Sequence, residues 1–121
     1  MKREKKVVLL VDDSILILER MMPVLQEIRE IELVVHAGSY KEAMSMLECL
    51  QPDVILLDIH LPDKSGVHLL QYVHANYRQI VVFMMSCDAG DEYREACARL
   101  GAHRFFDKAT EFEYLAQAVS A

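Results

Sequence analysis

Two adjacent carboxylates, Asp12 and Asp13, close the apolar run Val7-Val8-Leu9-Leu10-Val11, and three further runs end in a similar way. Val54-Ile55-Leu56-Leu57 ends in Asp58, Val81-Val82-Phe83-Met84-Met85 ends in Ser86, and Phe105-Phe106 leads into Asp107-Lys108. Several ionised carboxylates side by side repel one another. A divalent cation removes that cost, and oxygen ligands with room for water suit magnesium. A carboxylate in such a site can also act as a nucleophile and form an aspartyl phosphate. Asp58 fits the nucleophile, while Lys108 and Ser86 offer an ammonium and a hydroxyl to offset the phosphoryl charge. Each residue alone admits a plainer role: a helix-capping aspartate, a solvated neighbour, a strand-ending serine, a lysine in a surface ion pair. Four separate coincidences at four run ends are less economical than one site.

Such a site requires the runs to be parallel strands, because ligands of open parallel sheets bind beyond the carboxyl ends of the strands. The pattern along the chain supplies them. A first strand, about Lys6 to Val11, is followed by a helix capped by Ser14, with Leu18, Met21, Leu25 and Ile28 at helical spacing. Pro23 within that helix removes a hydrogen bond and should bend it. A second strand runs from about Leu33 to Ala37, and the capping box Ser39/Glu42 opens a helix with Ala43, Leu47 and Leu50 facing inward. After Gln51-Pro52-Asp53 comes the third strand, Val54 to Leu57; past the loop His60 to Gly66, a helix turns Val67, Leu70 and Val73 inward. The fourth strand, Ile80 to Met85, is apolar throughout, as a strand covered on both faces should be. Tyr93, Ala96, Cys97 and Leu100 mark the next helix, which Gly101 ends. A fifth strand, about Arg104 to Phe106, precedes a second capping box, Thr110/Glu113, and a last helix. Alternating strands and helices predict a doubly wound α/β domain with helices on both faces. In the usual right-handed winding the first and third strands are neighbours, which brings Asp58 opposite Asp12 and Asp13.

Composition narrows the function classes. A chain of 121 residues fits one domain, and 53% hydrophobic with 26% charged content indicates a folded chain. No apolar run approaches the ~18 residues of a membrane helix. The basic start, Met1-Lys2-Arg3-Glu4-Lys5-Lys6, runs into Asp12-Asp13 too soon to be a secretory signal. A net charge of -6 argues against general nucleic-acid binding. Cys49, Cys87 and Cys97 form no CxxC pair, which fits reduced thiols in a cytoplasmic protein. Cys49 and Cys97 fall in apolar helical patterns and are expected to be buried. The histidines (His36, His60, His68, His74, His103) show no zinc-ligand spacing.

Taken together, Val11-Asp12-Asp13-Ser14, Asp58-Ile59-His60-Leu61-Pro62 with Gly66, Met85-Ser86 and Phe105-Phe106-Asp107-Lys108 resemble the receiver domain of two-component response regulators, of the chemotaxis-regulator kind. The resemblance covers residues 1–121 in order, as one receiver domain with no output domain within them. It implies a flavodoxin-like sheet of strand order 2-1-3-4-5. It also implies a stoichiometric phosphoacceptor rather than a turnover enzyme, with Asp58 taking its phosphate from a histidine kinase or phosphotransfer protein. Asp13 and Asp58, with Asp12 through water and the main-chain carbonyl of His60, would hold Mg2+. Ser86 and Lys108 would bond the phosphoryl group, and Phe105 would be the aromatic switch that turns inward when Ser86 moves. The signal would pass through the face of the last two helices and fifth strand to a downstream effector or output domain, or to a second phosphorylated copy. His60 and Asp88 would flank the attacking water and set phosphate lifetime.

One position departs from the family pattern: Ala109 stands where proline usually follows the lysine, often after a cis bond. A cis bond before a non-proline costs about 3–4 kcal/mol, so the Lys108–Ala109 bond is expected to be trans or the loop strained. Three rivals compete. A haloacid-dehalogenase-type phosphohydrolase would carry Asp-x-Asp after the first strand. A non-phosphorylated binding module is disfavoured by an intact site. A dinucleotide or flavin binder would want a glycine- or hydroxyl-rich phosphate loop where the acidic Asp12-Asp13 stands.

Overall fold

The computed structural model describes residues 5–87 and 90–120. The chain alternates strand and helix in five βα units: β1 (Lys6–Val11), α1 (Ile15–Gln26), β2 (Ile31–Ala37), α2 (Tyr40–Cys49), β3 (Val54–Asp58), α3 (Gly66–Asn76), β4 (Val81–Ser86), α4 (Asp91–Arg99), β5 (Arg104–Asp107) and α5 (Phe112–Ser120). The strands form one parallel sheet of order β2-β1-β3-β4-β5, as expected.

The central strands β1, β3 and β4 are apolar on both faces because helices cover both. Leu9, Val11, Ile55, Leu57, Val82 and Met84 point to one side, where they meet Ala43 and Leu47 of α2, Leu69, Leu70 and Val73 of α3, and Cys97 of α4. Their alternates Val8, Leu10, Val54, Leu56, Phe83 and Met85 meet Met21 and Leu25 of α1 and Leu115 and Val119 of α5. The sheet is thus a wall between two separate cores, and its carboxyl edge is where both layers stop.

Helix ends follow local chemistry. Ser14 Oγ accepts from the Ile17 N–H and Ser39 Oγ from the Glu42 N–H, so both predicted caps form. The return bond of the Ser39/Glu42 box runs one residue earlier than expected, from the Gly38 N–H to Glu42 Oε1. At the end of α4, the Gly101 N–H donates to the Ala98 carbonyl and the Ala102 N–H to that of Cys97. Gly101 has φ 108°, a region side chains avoid, and the two bonds make a Schellman termination.

Several expectations need correction. Cys49 is exposed, because two positions past Leu47 lies off the buried face of α2; Cys97 is buried as expected. On α3, Leu69 is buried and Val67 only half-buried. Tyr93 lies on α4 as expected; it is exposed there and meets the His60 ring edge-on. The last helix begins at Phe112, past the Thr110 cap, because Asp107 and Glu111 shape the turn before it. Asp107 Oδ1 accepts from the N–H groups of Ala109 and Thr110, and Glu111 Oε1 accepts from the Asp107 N–H. All described peptide bonds are trans, Lys108–Ala109 included.

Candidate functional site

Asp12 follows β1 directly and is fully buried. Its Oδ1 accepts from the Ser14 N–H at 2.9 Å and its Oδ2 from Lys108 Nζ at 2.7 Å. Asp58, the last residue of β3, is 3% exposed. Its Oδ1 accepts from the His60 N–H at 3.3 Å, and its Oδ2 lies 3.3 Å from the same Lys108 Nζ. Lys108, 9% exposed, is thus shared between two buried carboxylates. Asp13 is exposed, yet it completes a cluster in which ligand oxygens of Asp12, Asp13 and Asp58 all lie within 4.8 Å of one another.

Ser86 ends β4 and is buried, with its carbonyl accepting from the Lys108 N–H at 3.0 Å. The Ile59 N–H donates to the Met85 carbonyl, so β3, β4 and the Lys108 loop are tied together by main chain around the cluster. Phe105 is half-buried under the Arg94 guanidinium, 5.2 Å from its ring centroid. The His60 side chain is exposed beside this edge, and Asp88 lies outside the described residues. Asp12, Asp13, Asp58 and Lys108 therefore come together, Ser86 is tied beside them through main chain, and Phe105 sits one step away on β5.

The charges do not balance. Burial, and next the negative charge of Asp12, push the Asp58 carboxyl above its ordinary value, opposed by Lys108 and the His60 N–H. Burial works against the Lys108 ammonium, but its bond to Asp12 and the nearby charges of Asp58 and Asp12 raise its pKa nonetheless. One ammonium thus faces three carboxylates, and the excess negative charge with hard oxygen donors fits a divalent cation such as Mg2+.

A test follows for the metal-free protein. A carboxyl whose folded pKa is raised stabilises the fold below its unfolded value and loses that contribution as pH rises through the folded value. Asp58→Asn removes this titration. In EDTA near pH 7 it is expected to raise Tm by about 3–6 °C, the effect of ~1 kcal/mol in a domain of this size. The gain should shrink as pH falls toward 4. A variant less stable than wild type at neutral pH would show that the Lys108 contact outweighs the burial cost.

Three contributors gave no signal in spacing. His36, near the end of β2, places Nε2 2.8 Å from the Asp12 carbonyl oxygen. Asp63, in the loop after β3, accepts from the Tyr40 and Lys41 N–H groups, capping α2 from 22 and 23 residues away. Those bonds hold its carboxyl below the usual range, that of the Lys41 N–H foremost. Arg94 joins α4 to β5 and the turn after it, through the Phe105 carbonyl at 3.2 Å and Glu111 at 2.6 Å. The end of β2 could have been inspected by the same edge logic as the other four strands; the loop cap and the Arg94 bridge could not.

Comparison with known proteins agrees with this geometry. The family model described as response regulator receiver domain matches residues 8–120. The protein-glutamate methylesterase/protein-glutamine glutaminase of Bacillus subtilis is 33% identical over 84% of this chain. The probable C4-dicarboxylate response regulator DctR of the same organism is 25% identical over 98% of it. The chain spans 29% of the first protein's length and 53% of the second's. Among solved structures, the signal receiver domain of a DNA-binding response regulator from Colwellia psychrerythraea superposes with a TM-score of 0.87 at 20% identity, covering 95% of each chain. The Mn(2+)-bound form of response regulator Rcp1 gives 0.80 at 25% identity, covering 95% of this chain and 89% of its own.

Proposed function

Because this chain belongs to the response regulator receiver domain family, we propose that it is a phosphoacceptor switch in which Asp58 accepts a phosphoryl group from a phosphohistidine. The observation that carries the proposal is the buried Asp58 carboxylate, which meets one ammonium and two further carboxylates at the end of a central strand. Asp58 Oδ attacks phosphorus, the donor's P–N bond breaks, and its electron pair returns to the imidazole nitrogen. Asp12, Asp13 and Asp58, with the His60 main-chain carbonyl, would hold Mg2+. The ion supplies charge neutralisation for the phosphoryl oxygens when bound. The Lys108 ammonium moves from the carboxylates onto a phosphoryl oxygen, and the Ser86 hydroxyl donates to another.

Phosphate then favours the conformation in which it has these contacts, since an equilibrium shifts only by differential affinity. Movement of Ser86 frees space for Phe105 to turn inward from beneath Arg94, and the face of α4, β5 and α5 changes. The acceptor is used stoichiometrically, and the bond is later lost to water. The donor is a histidine kinase or phosphotransfer protein, the reader a downstream effector or output domain, and the setting the cytoplasm. Among the described residues no helix is long and apolar enough to cross a membrane. A groove beside Lys108, lined by Leu16, Ile17, Arg20, Cys87 and Ala109, supports docking of a donor protein, as do Ile15 and Leu16, 70% and 76% exposed.

Incubation with acetyl phosphate and Mg2+ tests the proposal. Wild type should gain one acid-stable, base-labile phosphate, and Asp58→Asn or wild type in EDTA none. Labelling that survives Asp58→Asn would move the acceptor elsewhere. Rapid turnover of many phosphomonoesters would instead point to a hydrolase.

A further inference from the structure

The three clustered carboxylates are not equally held. Asp12 has the Ser14 N–H and Lys108, and Asp58 has the His60 N–H and Lys108. Asp13 is exposed and, among the described residues, its carboxylate accepts no hydrogen bond. Its direction is therefore set by the backbone that carries it, chiefly the peptide plane joining Asp12 to Asp13. That plane lies just past the last β1–β2 pair, Val11 with Ala37, where the ladder no longer fixes the main chain on both sides.

Strand β2 nonetheless holds Asp12 twice. The Asp12 N–H donates to the Ala37 carbonyl at 3.0 Å, an ordinary extension of the sheet. Its carbonyl, which can only accept, lies 2.8 Å from Nε2 of the half-buried His36. The ring must then carry its hydrogen on Nε2, donating to the oxygen of the peptide that leads into Asp13.

We propose that His36 is a positioning residue for the cation site: its Nε2–H fixes the Asp12–Asp13 peptide and so keeps the Asp13 carboxylate within the cluster. The inference rests on the cluster holding Mg2+, and it concerns orientation rather than contact with the ion. Groups one step behind metal ligands commonly set affinity in this way.

Two substitutions separate the role from simple packing. His36→Phe keeps a ring of similar size and removes the donor; His36→Gln places an amide N–H near the Nε2 position. Calorimetric titration with Mg2+ should show His36→Phe binding about 3- to 10-fold more weakly than wild type, the worth of one net hydrogen bond. His36→Gln should stay within about twofold of wild type on the same ground. Nitrogen-15 NMR of the metal-free wild type should show His36 as the Nε2–H tautomer, a readout that needs neither a variant that folds nor activity. Equal Mg2+ affinity in wild type and His36→Phe, or an Nδ1–H tautomer, overturns the inference alone. Absence of Mg2+ binding by wild type overturns the metal site and the inference together.

Discussion

Lys108→Met is expected to destabilise the metal-free protein by about 3 kcal/mol, because removing one partner of a buried ion pair leaves its charges uncompensated. Here one ammonium serves two carboxylates, Asp12 at 2.7 Å and Asp58 at 3.3 Å, both buried. The corresponding fall in Tm is about 10–15 °C for a domain of this size. The cost has a ceiling, since the carboxyls can bind a proton instead of remaining charged. Without Lys108 the folded pKa of Asp58 loses an influence that lowers it and rises further, so the variant should regain stability as pH falls from 8 toward 5. Lys108 itself works with the opposite limit. Its folded pKa is raised, so its contribution is complete below the unfolded lysine value near 10.4 and is lost as pH rises through the folded value. Millimolar Mg2+ should recover part of the loss by supplying the missing positive charge. Thermal unfolding by circular dichroism, with EDTA and with Mg2+, measures all of this. An unchanged Tm in EDTA would show that the two ion pairs contribute nothing.

Gly66→Ala is expected to be as severe, for a steric reason. A Cβ on Gly66 would lie 2.0 Å from the Asp58 carbonyl oxygen and 3.0 Å from its carbon, both backbone atoms of β3. Neither can rotate away as a side chain would. The Gly66 N–H also donates to the Ile59 carbonyl at 2.7 Å, so α3 cannot withdraw without losing that bond. Overpacking of this kind costs about 1–3 kcal/mol and occasionally more; so close an approach to fixed backbone places this case at the top of that range. The relief must come from movement of α3 or of the end of β3, which carries the acceptor. A misplacement of ~1 Å at a reacting group costs about 100-fold in rate, which is the expected fall in acetyl phosphate labelling. Gly90→Ser is the matched control, since a Cβ there meets nothing within 4 Å. Labelling of Gly66→Ala at the wild-type rate would mean that the loop absorbs the extra carbon without disturbing Asp58.

The central strands β1, β3 and β4 were legible because both faces of the sheet are covered there, so each is a nearly uninterrupted apolar run whose polar terminator marks the site edge. Convergence of Asp12, Asp13, Asp58, Ser86 and Lys108 followed from the strand order, which right-handed winding fixes. Ser14 and Ser39 were readable because a cap acts within a few residues. Asp63 was not, because it caps α2 from a loop after the next strand, and nothing local marks that bond. His36 looked like an isolated histidine, since its partner is a main-chain carbonyl that no side-chain motif can betray. Cys49 was misplaced by one step around a helix, where the helical pattern is apolar on more than one side.

The strand order also sets a schedule for synthesis. Strands β2 and β3 flank β1 at one side of the sheet, and all three leave the ribosome before β4 and β5. Asp12, Asp13 and Asp58 all belong to this early half, whereas Lys108 follows Asp58 by 50 positions (108 − 58). At ~5–20 residues per second that interval lasts about 3–10 s. During it Lys108, the ammonium that meets Asp12 and Asp58 in the finished fold, has not yet been made. The last of the five strands to be made therefore closes the sheet and brings Lys108 to its acidic edge in one step.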